Sequence, residues 1–166
     1  MKRYLALALL PALLLSPIAG AEPTYVTTRV LSFELANQLA VESARACRKQ
    51  GYQVTASVVD RNGKLLAVAR DPLAGIHTID VSRLKAQTAA SFQTSTLDMQ
   101  EGDFDNLRFA PDVLLIGGGV PVRIGGHFYG AVGISGAPAK KITGDVDDEC
   151  ARAGIETIRE TIEFAE

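Results

Sequence analysis

Hydrophobic and polar positions along the chain change their period repeatedly, and each change marks an element. Leu35, Ala36, Leu39, Ala40, Ala44 and Cys47 recur at three and four residues, the spacing of one helix face. Ser32 stands before them as a cap and Gly51 after them as a stop, so a helix is predicted from Ser32 to Gln50. "YQVTASVVD" and "KLLAVARD" are β-rich runs joined by Arg61-Asn62-Gly63, and Asn-Gly between such runs predicts a hairpin. A second helix starts near His77, with a short helical turn from Ser95 to Glu101 behind it. Strands are predicted at Val113 to Ile116, Val120 to Ile124 and Phe128 to Ser135, punctuated by Gly117-Gly118-Gly119 and Gly125-Gly126. A last helix from about Asp145 carries Ile155, Ile158 and Ile162 on one side. Helix, hairpin, helix, three strands, helix reads as an α/β (α+β) fold, with one antiparallel sheet flanked by helices.

The second helix carries a charge on its apolar stripe. At about 100° per residue, Val81, Lys85, Ala89 and Phe92 fall within roughly 40° of one line, with Thr88 and Leu84 beside them. Asp80, Arg83, Gln87 and Ser91 take the far side. A lysine among apolar neighbours demands an anionic or polar partner, because dehydrating its ammonium alone costs several kcal/mol. That partner is either the carboxylate of a bound ligand or an internal carboxylate or strand-end carbonyl.

Composition narrows the setting. The chain opens "MKRYLALALLPALLLSPIAGAE", with Lys2 and Arg3 before an apolar run and the small residues Ala19-Gly20-Ala21 after it, the pattern of a secretory signal peptide over 1–21. The remainder, 22–166, is long enough for one domain, and no second apolar run of membrane-spanning length follows. Of the 17 Lys and Arg, two lie in the leader, against 19 Asp and Glu beyond it, and no basic block stands out. Nucleic acid and, after cleavage, the membrane are therefore not expected partners. Cys47 and Cys150 fit no metal spacing; they are either two buried thiols or a disulfide joining the first and last helices in an oxidising compartment.

Few residues offer chemistry. The glycine run lacks the Gly-Lys-Ser/Thr ending of a phosphate loop, so its glycines serve tight turns or let main chain approach a ligand. Of the two histidines, His127 reads as an exposed turn residue. His77 stands at the amino end of the Lys85 helix, where the positive helix end favours a neutral imidazole suited to metal ligation, or to a structural role alone. "DVDDEC" places acids at a helix start, where the macrodipole favours them without function. No nucleophile elbow or His-Glu-x-x-His is present, and no catalytic set assembles.

"HTIDVSRLKAQTAASF" followed by "TST", then "IGGGVPVRIGGHFYGAVGISGA" and "DDECARAG", together resemble the haem-degrading-domain family of GlcG-like and HbpS-like haem-binding proteins. The likeness runs from Ser32 to the last helix. It implies a five-stranded antiparallel sheet in a profilin-like domain, homo-oligomers and a haem-related role. The family's Lys-Ala-x-x-Ala element matches Lys85 to Ala89, its Gly-Gly-Gly-x-Pro element Gly117 to Pro121, and its Gly-x-Ser-Gly element Gly133 to Gly136. The expected site lies between the Lys85 helix and the glycine-rich segments. Lys85 would pair with a haem propionate or a small organic acid, and His77 could ligate the iron. Thr88 and Ser135 would give hydrogen bonds, and Gly118, Gly119 and Gly136 would let the main chain come close, with Thr78 and Pro121 also in the ligand-binding set. Two functions follow: an exported haem-binding protein, with or without slow haem breakdown, and a module that binds a glycolate-like acid.

Overall fold

The computed structural model describes residues 24–165, so the expected leader lies outside the described residues. Helix α1 (Phe33–Lys49) starts where the sequence places it: the Ser32 hydroxyl accepts the Leu35 N–H, which would otherwise lack a partner. Beyond Gln50 the chain turns at Gly51, in the left-handed region at φ 87°. Strands β1 (Thr55–Val59) and β2 (Leu65–Arg70) form the expected hairpin. Its turn is tied by the Asp60 carboxylate, which accepts the N–H groups of Asn62 and Lys64. Helices α2 (Thr78–Phe92) and α3 (Thr96–Glu101), a 3-10 turn over 105–109, the hairpin of β3 (Gly119–Ile124) and β4 (His127–Ser135), and helix α4 (Asp145–Glu163) follow.

The sheet has the order β2-β1-β4-β3, every neighbour antiparallel. Its two faces differ in chemistry. Ala56, Val58, Val120, Val122, Val132 and Ile134 pack with α1 and α4 into an aliphatic core. The other face meets α2 through a seam of small and hydroxylic residues: Thr55 to Thr78 at 2.7 Å and Ser57 to Ser82 at 2.8 Å, oxygen to oxygen. There the helix backbone lies directly on the strands. A Cβ on Gly133 would stand 2.1 Å from the Ser82 carbonyl oxygen, and one on Gly119 2.3 Å from that of Lys85, so only glycine fits.

Two expectations need correction. The described residues form four strands, not five, because 113–116 forms no strand. Side chains take its backbone groups instead: Thr88 Oγ1 accepts the Leu114 N–H at 2.9 Å, and Thr96 Oγ1 donates to the Ile116 carbonyl at 2.8 Å. The buried face of α2 is also rotated from the predicted stripe. Ser82 and Ala86 are fully buried, whereas Phe92 is 38% exposed, since close seating on glycines admits small side chains and expels a large one.

The cysteines are joined. Cys47 of α1 and Cys150 of α4 form a disulfide with 5.4 Å between Cα atoms and 103 residues of separation, and both are fully buried. Closing so long a loop stabilises the fold by about 4–5 kcal/mol in the chain-entropy model. At the start of α4, the Asp145 carboxylate accepts the N–H groups of Lys140, Lys141, Ile142 and Val146, which lower its pKa to about 2.

Two outcomes follow from these constraints. Unreduced protein will show no free thiol, and Cys47→Ala/Cys150→Ala will lose about 4 kcal/mol in chemical denaturation; two titratable thiols would contradict the pairing. The ionised Asp145 is favoured by folding, so its contribution is complete above the ordinary value of 3.8 and disappears as pH falls through about 2. Thermal melts will therefore drop between pH 4 and 2, and the drop will be shallower in Asp145→Asn.

Candidate functional site

The Lys85 side chain is 2% exposed, at the middle of α2. Its ammonium donates to Asp147 Oδ2 at 2.8 Å and to the Ile134 carbonyl at 2.9 Å. The partner demanded by the sequence is thus an internal carboxylate together with a strand-end carbonyl. Asp147 is equally committed: Oδ1 accepts the Ala137 N–H at 3.0 Å, and the Gly136 N–H also bonds the carboxylate. Burial pushes Lys85 below its usual range and Asp147 above its own, each toward the neutral form, while their mutual attraction opposes both shifts. One ion pair therefore ties α2, the end of β4 and the first turn of α4 together.

The glycine-rich segments gather around this pair. At Gly118, in the left-handed region at φ 112°, a Cβ would stand 2.6 Å from Asp147 Cβ and 3.1 Å from Lys85 Nζ. The close approach made by Gly118 and Gly119 is to the protein's own α2 and α4. Gly136 and the buried Ser135 end β4 beside Asp147. Thr78 bonds Thr55 and the Gly75 carbonyl, and Thr88 holds Leu114. Pro121 lies apart, on β3, where it lines a cleft of about 430 Å³. The structure thus brings Lys85, Gly118, Gly119, Ser135 and Gly136 together, but around an internal bond. Lys85 lines neither this cleft nor further ones of about 200, 310 and 550 Å³ among the described residues.

Asp147 was legible by the argument applied to Lys85. It lies three and four residues before the buried Cys150 and Ala151, so it falls on the buried stripe of α4. Its neighbour Asp148, also buried, accepts the Ser95 hydroxyl at 2.9 Å and Arg152 Nε at 2.6 Å.

His77 stands elsewhere, at the exposed amino end of α2, with no side-chain capping bond. Leu73 and Ile76 beside it are 80% and 85% exposed, and Ile79 is 40% exposed. Arg70, at the end of β2, donates to the Ala74 carbonyl and so places its guanidinium against this segment. Among the described residues no group of three or more His, Cys, Asp or Glu is arranged to hold a metal ion. His127 opens β4 and is exposed.

Removing one member of the buried pair leaves the other charged and dehydrated. Lys85→Met will cost about 3–5 kcal/mol in urea denaturation. Lys85→Met/Asp147→Asn, which retains an acceptor for Ala137, will cost clearly less than the sum of its single changes. Strict additivity would show that the two side chains do not interact.

Known proteins share this fold. A family model described as haem degrading protein HbpS-like matches residues 31–156. Protein GlcG of Escherichia coli is 34% identical over 114 residues, covering 66% of this chain and 84% of that protein. Among solved structures, a double mutant of Streptomyces reticuli HbpS is similar with TM-score 0.75 and 32% identity, over 89% of this chain and 99% of that one. The PduOC:heme complex is similar with TM-score 0.68 and 25% identity, over 78% of this chain and 95% of that one. With the family model spanning α1 through most of α4, the chain belongs to the HbpS-like family of haem-degrading proteins.

Proposed function

We propose that this chain is an exported haem-binding protein in which His77 ligates the iron. The observation that carries the reading is the exposed segment from Leu73 to Ile79, an imidazole set among large apolar side chains at the surface. Haem offers a broad apolar ring, an iron that accepts imidazole, and carboxylates at its edge. Leu73, Ile76 and Ile79 suit the ring, and Arg70 suits a propionate, in place of the Lys85 assigned from the sequence. Bound haem would supply the redox chemistry of any slow breakdown, and this chain's part would be to hold and orient it. The similarity to a haem complex of the same fold supports the reading.

Export is supported by the leader pattern over 1–21 and by the Cys47–Cys150 disulfide, which persists in oxidising compartments. Assembly into homo-oligomers is supported by the exposed Tyr25, Val26 and Phe33 around the start of α1 and Phe164 after α4. No helix among the described residues is long and apolar enough to cross a membrane. A second reading, a module for a small organic acid, is favoured by a separate observation, a cleft lined by arginines.

Hemin titration tests the first reading. A saturable Soret band will develop with the unaltered protein, and His77→Ala will change its position and weaken binding at least about tenfold, equivalent to the loss of roughly 1.4 kcal/mol. An unchanged spectrum and affinity in His77→Ala would remove His77 from the site. No Soret change with the unaltered protein would reject haem binding.

A further inference from the structure

At the opposite end of α2 from His77, about 22 Å away at 1.5 Å per residue, lies the cleft of about 430 Å³. Arg123 of β3 and Arg152 and Arg159 of α4 line it, against the carboxylates of Asp98 and Glu156. The three guanidiniums are not equivalent. Arg159 is engaged at every nitrogen: Nε and Nη2 donate to Glu156, and Nη1 reaches Glu163 at 3.5 Å. Arg152 spends only Nε, on the buried Asp148, which Ser95 holds from behind. Arg123 spends one terminal nitrogen on Gln93, at 2.6 Å, and its guanidinium lies 5.3 Å from the centre of the Phe128 ring. No described carboxylate pairs with Arg123, and both terminal nitrogens of Arg152 lack a hydrogen-bond partner among the described residues.

Two guanidiniums, each anchored by one side and open on the other, are thus fixed before any ligand arrives. Such preorganised forks suit a planar carboxylate. We propose that this cleft binds a small organic monoanion, its carboxylate held by Arg123 and Arg152 and its carbon skeleton resting on Val120, Pro121 and Ile155. Arg152 is matched by Asp148 and Arg159 by Glu156, which leaves Arg123 as the guanidinium of this cleft without a described carboxylate: it suits one negative charge, and Asp98 and Glu156 repel a second. The buried Lys85, already paired with Asp147, takes no part. The site rests on the small-organic-acid reading given above and is independent of the haem reading, since the length of α2 separates it from His77.

Calorimetric titration of the full protein with sodium lactate and, separately, with inorganic phosphate tests the assignment. Lactate will bind saturably, and Arg152→Ala and Arg123→Gln will each weaken it at least about tenfold. Arg123→Gln leaves every buried carboxylate paired, so it carries the test if Arg152→Ala does not fold. His77→Ala will leave lactate binding unchanged, and the arginine variants will keep the response to hemin, so the two sites succeed or fail separately. Absence of saturable heat with lactate, or equal binding by the arginine variants, overturns the proposal. Phosphate binding more tightly than lactate overturns the monoanion assignment.

Discussion

One buried contact sets the terms for the rest of the molecule: the Lys85 ammonium against Asp147, both dehydrated, with a strand-end carbonyl and two main-chain N–H groups completing their hydrogen bonds. Neither charge would survive burial alone, so the elements that carry them must arrive together. Helix α2 must sit low enough on the sheet for the lysine to reach the end of β4, which requires glycine at 119 and 133 and small side chains on the helix. Helix α4 must present its first turn to the same point, and the disulfide with α1 three residues further on holds it there. The glycine-rich segments thus permit packing that the ion pair then locks.

With Lys85 committed to Asp147, the two sites proposed for ligands lie at the ends of α2 and not at its middle. At the amino end, an imidazole stands on an exposed apolar segment with an arginine alongside. Beyond the carboxyl end, guanidiniums anchored by buried or aromatic groups open into a polar cleft with an apolar floor. The interior polar residues of α2, Thr78, Ser82, Lys85 and Thr88, are all consumed in holding the helix to its surroundings. Both proposed sites therefore rest on a rigid support that does not itself contact the ligand.

The elements most legible in the sequence were those fixed by local chemistry. Ser32 as a cap, Asn62-Gly63 as a hairpin turn and the stripe of Ile155, Ile158 and Ile162 each act through neighbours a few residues away. The segment at 113–116 misled because its apolar run suits a strand, while its backbone groups are claimed by Thr88 and Thr96 from other elements. Phe92 misled because periodicity locates a face but not how closely that face is seated. In the candidate site, the need of Lys85 for a partner was legible, and Asp147 was marked by its place on the stripe of Cys150 and Ala151, a signal masked because the helix macrodipole explains acids at that helix start equally well. The arginine cleft was illegible: Arg123 and Arg152 come from elements distant in sequence and meet only in the fold.

The most direct test of this account follows the Lys85 ammonium by NMR through its 15N-labelled side chain. A signal protected from solvent exchange at neutral pH, coupled to Asp147 and unmoved by saturating hemin or lactate, is the predicted result. An ammonium that exchanges freely with water, or whose resonance shifts when either ligand binds, would place Lys85 in a ligand site and contradict the structural role assigned to it.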